Sequence, residues 1–237
     1  VWPEVGSVGY AVGSIWIDTE NGAGGSVVHV NGLADNPSLT YLDAHILSTK
    51  TGLKRFVIGN GSEILIEADI STDIEHHTFS GYNWMISLTK GAGAVGVNIG
   101  GSYIQGAEIE NQVGDLRCYT TGDNYFFEDC MLSNFEGEQG IFCHCRLKGT
   151  FYTVTGYDYL FHNCLNAYED GTFPILQYGS NAKVALRDYQ GGVKITNMTN
   201  GCHLRLSGRG KLEIDSTCEG GTIVVRGFFV LVGEADF

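Results

Sequence analysis

Proline is almost missing from this chain, three residues in 237, and charged side chains make up only 17%. So little proline excludes a rigid Pro-rich linker between domains, and 34 glycines supply the turns instead. Basic residues are scarce: 14 Lys and Arg stand against 27 Asp and Glu, for a net charge of −13. A protein that grips phosphate backbones carries a basic stripe. Lys54-Arg55 and the scattered Arg205, Arg209 and Lys211 read instead as solvated surface, so nucleic acid is not expected as a ligand. No apolar run approaches the roughly 20 residues that span a bilayer, which argues against membrane insertion. The opening Val-Trp-Pro-Glu has neither an initiator Met nor a signal-peptide pattern, and is read as a processed start or the ordered part of a longer chain. Also missing are a Gly-x-Ser-x-Gly elbow, a phosphate-cradling Gly-x₄-Gly-Lys loop and a His-Glu-x₂-His zinc motif.

What is present is an ordinary share of hydrophobic residues, 43%, enough to build a core for one all-β domain or two small ones. Three short segments carry one signature: Phe127-Glu-Asp-Cys130, Phe142-Cys-His-Cys145 and Phe161-His-Asn-Cys164. The outer copies are longer, so that Gly122, Tyr125, Phe127 and Cys130 return 34 residues later as Gly156, Tyr159, Phe161 and Cys164. The middle copy falls between them at offsets of 15 and 19. An aromatic and a small apolar residue returning at short, unequal intervals indicate a winding chain whose turns stack on one another. The spacing predicts an irregular coil.

The seven cysteines (118, 130, 143, 145, 164, 202 and 218) are read chiefly as small buried hydrophobes stacked in the coil, with metal binding and disulfides as alternatives. Strand alternation would put Cys143 and Cys145 on one face and His144 on the other. A second Cys pair to complete a zinc site is missing.

Along the chain, residues 1–35 form a Gly-rich arm with strands at Ser14–Thr19 and Val27–Val30. A helix is predicted over 36–51, with Asn36 as N-cap, Pro37 in its first position and Gly52 as its stop. Leu39, Leu42, Ile46 and Leu47 would line one face of that helix and cover the open end of the coil, where unpaired strand edges invite aggregation. From Phe56 to about residue 175, short apolar stretches alternate with turn residues. Beyond 176 come strands about ten residues apart. Phe228–Val232 is apolar throughout, so it is either buried or pressed against another subunit.

The fold class read from these patterns is mostly β: a right-handed parallel β-helix with an N-terminal capping helix and a strand-rich C-terminal region. Its divisions are an arm at 1–35, the capping helix with the β-helix at 36–175, and the strand-rich region at 176–237.

Three motif sets together resemble structural proteins of tailed bacteriophages that carry right-handed β-helical segments. The first is Asp18-Thr-Glu-Asn-Gly-Ala-Gly-Gly25 with Asn31-Gly32, Asn36-Pro37 and Gly52-Leu-Lys-Arg-Phe56; the second is the Phe-x-x-Cys series. The third is Gly191-Gly-Val-Lys-Ile195 with Ser216-Thr-Cys-Glu-Gly-Gly-Thr-Ile-Val-Val-Arg-Gly227. The resemblance covers most of the chain, least over 65–115. It implies a non-enzymatic virion part (spike, fibre, decoration or baseplate element), trimeric and assembled with other virion proteins. On that reading the Phe228–Val232 strand lies in the subunit contact, and Phe229→Asp should weaken assembly.

The enzymatic rival is a receptor-binding or glycan-depolymerising tailspike acting on host surface polysaccharide. That chemistry needs two carboxylates about 5–10 Å apart across a groove. Glu128, Asp129, Asp158 and Asp170 are the candidates. Glu128 and Asp129 align with His162 and Asn163 in the later copy, which marks outward or turn positions. His76, His77, His144, His162 and His203 share no ligand spacing. Tyr82, Trp84, Tyr157 and Tyr159 are candidates for a sugar-stacking platform, although the register of Tyr159 with Tyr125 places it inside the coil. Asn197-Met-Thr199 fits a glycosylation acceptor only in a eukaryotic secretory setting. No catalytic, cofactor or metal residue is therefore assigned.

Overall fold

The computed structural model describes residues 10, 13–67, 76–89, 96–98, 100–111, 117–119 and 124–233. Gly122 of the repeat and both chain ends lie outside them. Strand β1 (Ile15–Ile17) precedes the helix α1 (Tyr41–Thr51). Then come β2 (Arg55–Ile58), β3 (Glu63–Glu67), β4 (Thr78–Thr89), β5 (Gly96–Asn98), β6 (Tyr103–Asn111) and β7 (Arg117–Tyr119). The signature region holds β8 (Tyr125–Glu128), β9 (Met131–Gly137), β10 (Gly140–Cys143), β11 (Arg146–Thr153), β12 (Asp158–His162), β13 (Leu165–Asn166) and β14 (Ile175–Gln177). Three long strands follow: β15 (Lys183–Thr196), β16 (His203–Ile214) and β17 (Thr222–Val232).

All these strands pair in parallel, in three ladders. The first runs β1–β2–β4–β6–β8–β10–β12–β15–β16–β17. The second runs from β3 through β4, β6, β9, β11 and β13 to β15. The third runs from β5 through β7, β9, β11 and β14 to β15, and β16 and β17 continue both. The chain is a parallel β-helix, as its repeats predict. The region after 176 pairs into the same ladders; its different texture comes from strands long enough to cross from one ladder to the next.

One column shows how the sequence builds the core. Phe56, Phe79, Ile104, Phe127, Phe142, Phe161, Leu186 and Leu206 occupy successive rungs in exact register, and all are buried. The Phe142 and Phe161 rings stack face to face with centroids 4.5 Å apart. Burying each such side chain contributes about 1.5–3 kcal/mol. The column reaches Val225 in the last rung, which is 42% exposed.

The signature itself marks a corner. Phe points inward, the next residue outward, and the third adopts the left-handed conformation, with φ of 53° at Asp129, 55° at His144 and 55° at Asn163. Asp, Asn and His tolerate that region better than most side chains. The turn then sends the cysteine inward. Cys130, Cys145 and Cys164 are buried free thiols whose Sγ atoms donate to the carbonyls of Ile104, Phe127 and Phe142 on the neighbouring rung. Because residue 144 is the corner, simple alternation fails there. Cys143 faces outward and half-buried while Cys145 lies in the core, so the shared face expected for them is corrected.

The N-terminal end is closed in two ways. The outer edge of β1 is bonded by the loop after it: Trp16 N donates to Gly32 O at 2.9 Å, Ser38 N to Trp16 O at 2.9 Å and Asp18 N to Ser38 O at 3.0 Å. Helix α1 covers the interior beside it, with Tyr41, Ala44, Leu47 and Ser48 buried and the Tyr41 ring 5.9 Å from both Phe56 and Phe79. The helix starts later than expected. Thr40 is the N-cap, its hydroxyl accepting from Asp43 N, while Asn36 Nδ2 donates to Val30 O in the preceding loop. Leu42 is consequently exposed and Leu39 and Ile46 half-buried, so the apolar face is set by Tyr41, Ala44 and Leu47. Gly52 ends the helix in the left-handed conformation, as predicted. Val27–Val30 is a turn and not a strand: Val27 O accepts from both Val30 N and Asn31 N, and His29 has φ 63°.

Candidate functional site

The two ends of the coil differ. Among the described residues β17 pairs only with β16, so its other edge presents free backbone groups. Its inward residues Val225 and Leu231 are exposed, where Leu206 and Leu212 one rung below are buried. Its outward residues are mixed: Thr222 and Arg226 are exposed, and so are the apolar Phe228 at 88% and Val230 at 60%. The apolar run Phe228–Val232 was visible in the sequence; that it forms the unpaired edge of a ladder among the described residues was not.

A second feature is an open groove of about 960 Å³ along the corner between the first two ladders. Glu63, Tyr82, Glu108, Asp129, His144 and Arg146 are among its lining residues. Tyr82 is 82% exposed, one residue before a left-handed Asn83 that turns the chain. Trp84 lies on the groove floor but is buried, its Nε1 donating to Gln105 O at 3.0 Å, so it offers no stacking face. Sequence spacing could not find this groove, because its lining comes from rungs of unequal length.

The candidate carboxylates are scattered. Asp129 faces the groove, with His144 Nδ1 3.9 Å away. Glu128 is the outward neighbour, accepting a hydrogen bond from the Tyr103 hydroxyl and lying 4.0 Å from His144 Nδ1. Burial and that carboxylate push the Tyr103 hydroxyl well above its ordinary range, so it stays a donor. Asp158 sits beside Lys183 at 3.6 Å, both exposed, and Asp170 accepts from Thr172 N in an exposed loop. That backbone bond holds the Asp170 carboxyl below the usual range. Asp158 and Asp170 do not reach the groove lining, which includes Asp129 with Glu63 and Glu108.

The histidines divide similarly. His144 and His162 occupy adjacent rungs with ring centroids 6.5 Å apart, and His162 Nε2 is 3.7 Å from Asp188. His77 is buried against Phe56 with ring centroids 5.6 Å apart, His76 is an exposed left-handed turn residue, and His203 faces solvent. Among the described residues no three His, Cys, Asp or Glu side chains are grouped to hold a metal. Burial raises the Cys143 thiol, with Cys164 and Glu128 adding to the effect. The Cys130 and Cys164 thiols, followed by burial, hold Cys145 far above the ordinary range. Neither is an activated thiolate. Tyr159 lies inside the coil, its hydroxyl donating to Gly137 O at 2.6 Å, and Tyr157 is half-buried.

Comparison with protein-family models, curated protein sequences and solved structures finds no match to this chain. The site is therefore read from its own geometry. Among the described residues the first strand's outer edge is bonded, the outer edge of β17 is unpaired and largely apolar, and a shallow corner groove lies between them.

Proposed function

We propose that the protein is a non-enzymatic structural component of a tailed-bacteriophage virion, a trimeric β-helical module of a spike, fibre, decoration or baseplate that assembles with other virion proteins. The observation that carries this reading is the contrast, among the described residues, between the bonded outer edge of β1 and the unpaired outer edge of β17. An exposed parallel edge with apolar side chains is an association surface, and the sealed N-terminal edge gives assembly a direction. The sequence resemblance supplies the virion setting and the number three. Stacked rungs with a continuous apolar column make a stiff body suited to bearing load. Sedimentation of the purified protein tests the reading: a stable trimer is expected, and a chain that stays single at high concentration contradicts it.

The groove supports one second reading, a receptor-binding or depolymerising surface for host polysaccharide. An exposed aromatic beside carboxylates is a familiar sugar-contact chemistry. Incubating the oligomer with host-surface glycans separates the two. Released oligosaccharide that disappears in Asp129→Asn selects the enzyme; no release leaves the structural module.

A further inference from the structure

Cys130 differs from the other cysteines in where it lies. It belongs to the lining of the corner groove, with Ala107, His144 and Arg146, although only 1% of its own surface is exposed. No other cysteine among the described residues lines that groove. A small solute entering the groove therefore meets one thiol.

The next thiol is one rung away. Arg146 N donates to Cys130 O and Leu165 N to Cys145 O, each at 2.9 Å, which sets Cys130, Cys145 and Cys164 on three successive rungs. Adjacent parallel strands lie about 4.8 Å apart, inside the Cα span of about 4.4–6.8 Å that a disulfide bridges. Cys130 and Cys164 are two rungs apart, roughly 10 Å, which is too far to join. Cys145 meets the thiols on both sides of it. Its hydrogen bond to Cys130 holds the Cys130 thiol below the ordinary range against the opposing effect of burial, helped by the backbone of Ala107 and Gly106. Burial instead pushes the more exposed thiols of Cys143 and Cys218 upward. A thiol that a solute can reach, acidified and backed by a second thiol, is the arrangement in which oxidation stops at a reversible stage.

We infer that Cys130 and Cys145 form a redox pair, in which a peroxide entering the groove oxidises Cys130 and Cys145 closes a disulfide between two rungs. The Cys130 thiolate attacks one peroxide oxygen and the O–O bond breaks. The leaving hydroxide takes up the proton that the thiol had lost and departs as water, so Cys130 becomes a sulfenic acid. The Cys145 sulfur then attacks the Cys130 sulfur, the S–O bond breaks, and the hydroxyl leaves with the Cys145 proton as a second water. One hydrogen peroxide is reduced to two waters while two thiols are oxidised to one disulfide. Cys164 stays reduced. The bond staples the rung of β8 and β9 to that of β10 and β11, in the middle of the coil, and a thiol reductant releases it.

Hydrogen peroxide equimolar with the purified chain, followed by thiol blocking and peptide mapping, tests the pair. A Cys130–Cys145 bond is expected. The titratable thiols of the denatured protein should fall from seven to five, and dithiothreitol should restore them. In Cys145→Ser, Cys130 should stop at the sulfenic acid, which dimedone traps. In Cys164→Ser the same Cys130–Cys145 bond should form. Mapping of the unsubstituted chain does not depend on how either variant folds. Seven thiols surviving the peroxide, first oxidation at Cys143 or Cys218, or a Cys145–Cys164 bond would each overturn the pair. All three leave the virion-module reading intact, because sedimentation decides that one.

Discussion

At the corners of the coil one residue per rung carries the left-handed backbone, and side-chain type decides its cost. Asn163, with φ 55°, is such a position. Replacing it by Gly should leave stability nearly unchanged, whereas Asn163→Val should lose about 1–2 kcal/mol through Cβ crowding; urea denaturation of both variants checks the difference. Inside the corner the aromatic column gives a larger effect. Phe142 is fully buried between Phe127 and Phe161, so Phe142→Ala should cost about 3–5 kcal/mol, read in the same experiment. Gly140 explains why the middle copy of the signature has no tyrosine. It sits in register between Tyr125 and Tyr159, and a Cβ there would come within 2.2 Å of the Tyr125 ring. The Phe-x-x-Cys register was legible because ladder positions repeat residue types. The opposite placement of Cys143 and Cys145 was not, because a single left-handed residue cancels alternation without leaving a glycine to mark it.

Elements add two further tests. Thr40 caps α1 with a hydroxyl that accepts from Asp43 N at 3.1 Å, so Thr40→Ala should destabilise the protein by about 1 kcal/mol, measured by thermal unfolding. Asn36 looked equally good as a cap in the sequence, but its side chain is used by the loop that closes β1. Strands β15 and β16 are tied by Lys194, whose Nζ lies 2.8 Å from Asp215 and 2.9 Å from Glu213. The hydrogen bond from Lys194, then those from Thr217, lower the Asp215 carboxyl from 3.8 to about 2. A carboxyl depressed on folding stabilises above its unfolded value, and that contribution is lost as pH falls through the folded one. The stability difference between the protein and Asp215→Asn should therefore be constant above about pH 4 and shrink between 4 and 2. Denaturation midpoints across that range check it; a difference independent of pH would exclude the ion pair as its source.

For the whole molecule, a stack of rungs whose described residues leave one outer strand edge bonded and the other unpaired should not be uniformly stable. Amide hydrogen exchange is expected to be slowest in β8, β10 and β12, which have neighbours on both sides, and fastest along the free edge of β17. Mass-spectrometric exchange resolves these segments, and strong protection of β17 in a single chain would contradict its open placement.

The sequence by itself determined that the chain coils, where its inward aromatics fall, and that the cysteines closing the signature, Cys130, Cys145 and Cys164, are core residues. Each rung repeats the same local demand for an inward apolar group followed by a turn. It also announced a helix ending at Gly52, since a left-handed stop is written in one residue. Only the tertiary structure decided which segment seals the outer edge of β1, which residues of β17 are exposed, and that Asp129 shares a groove with Glu63 and Glu108. Those facts depend on register between rungs of unequal length, and unequal rungs bring together residues that no fixed spacing in the chain relates.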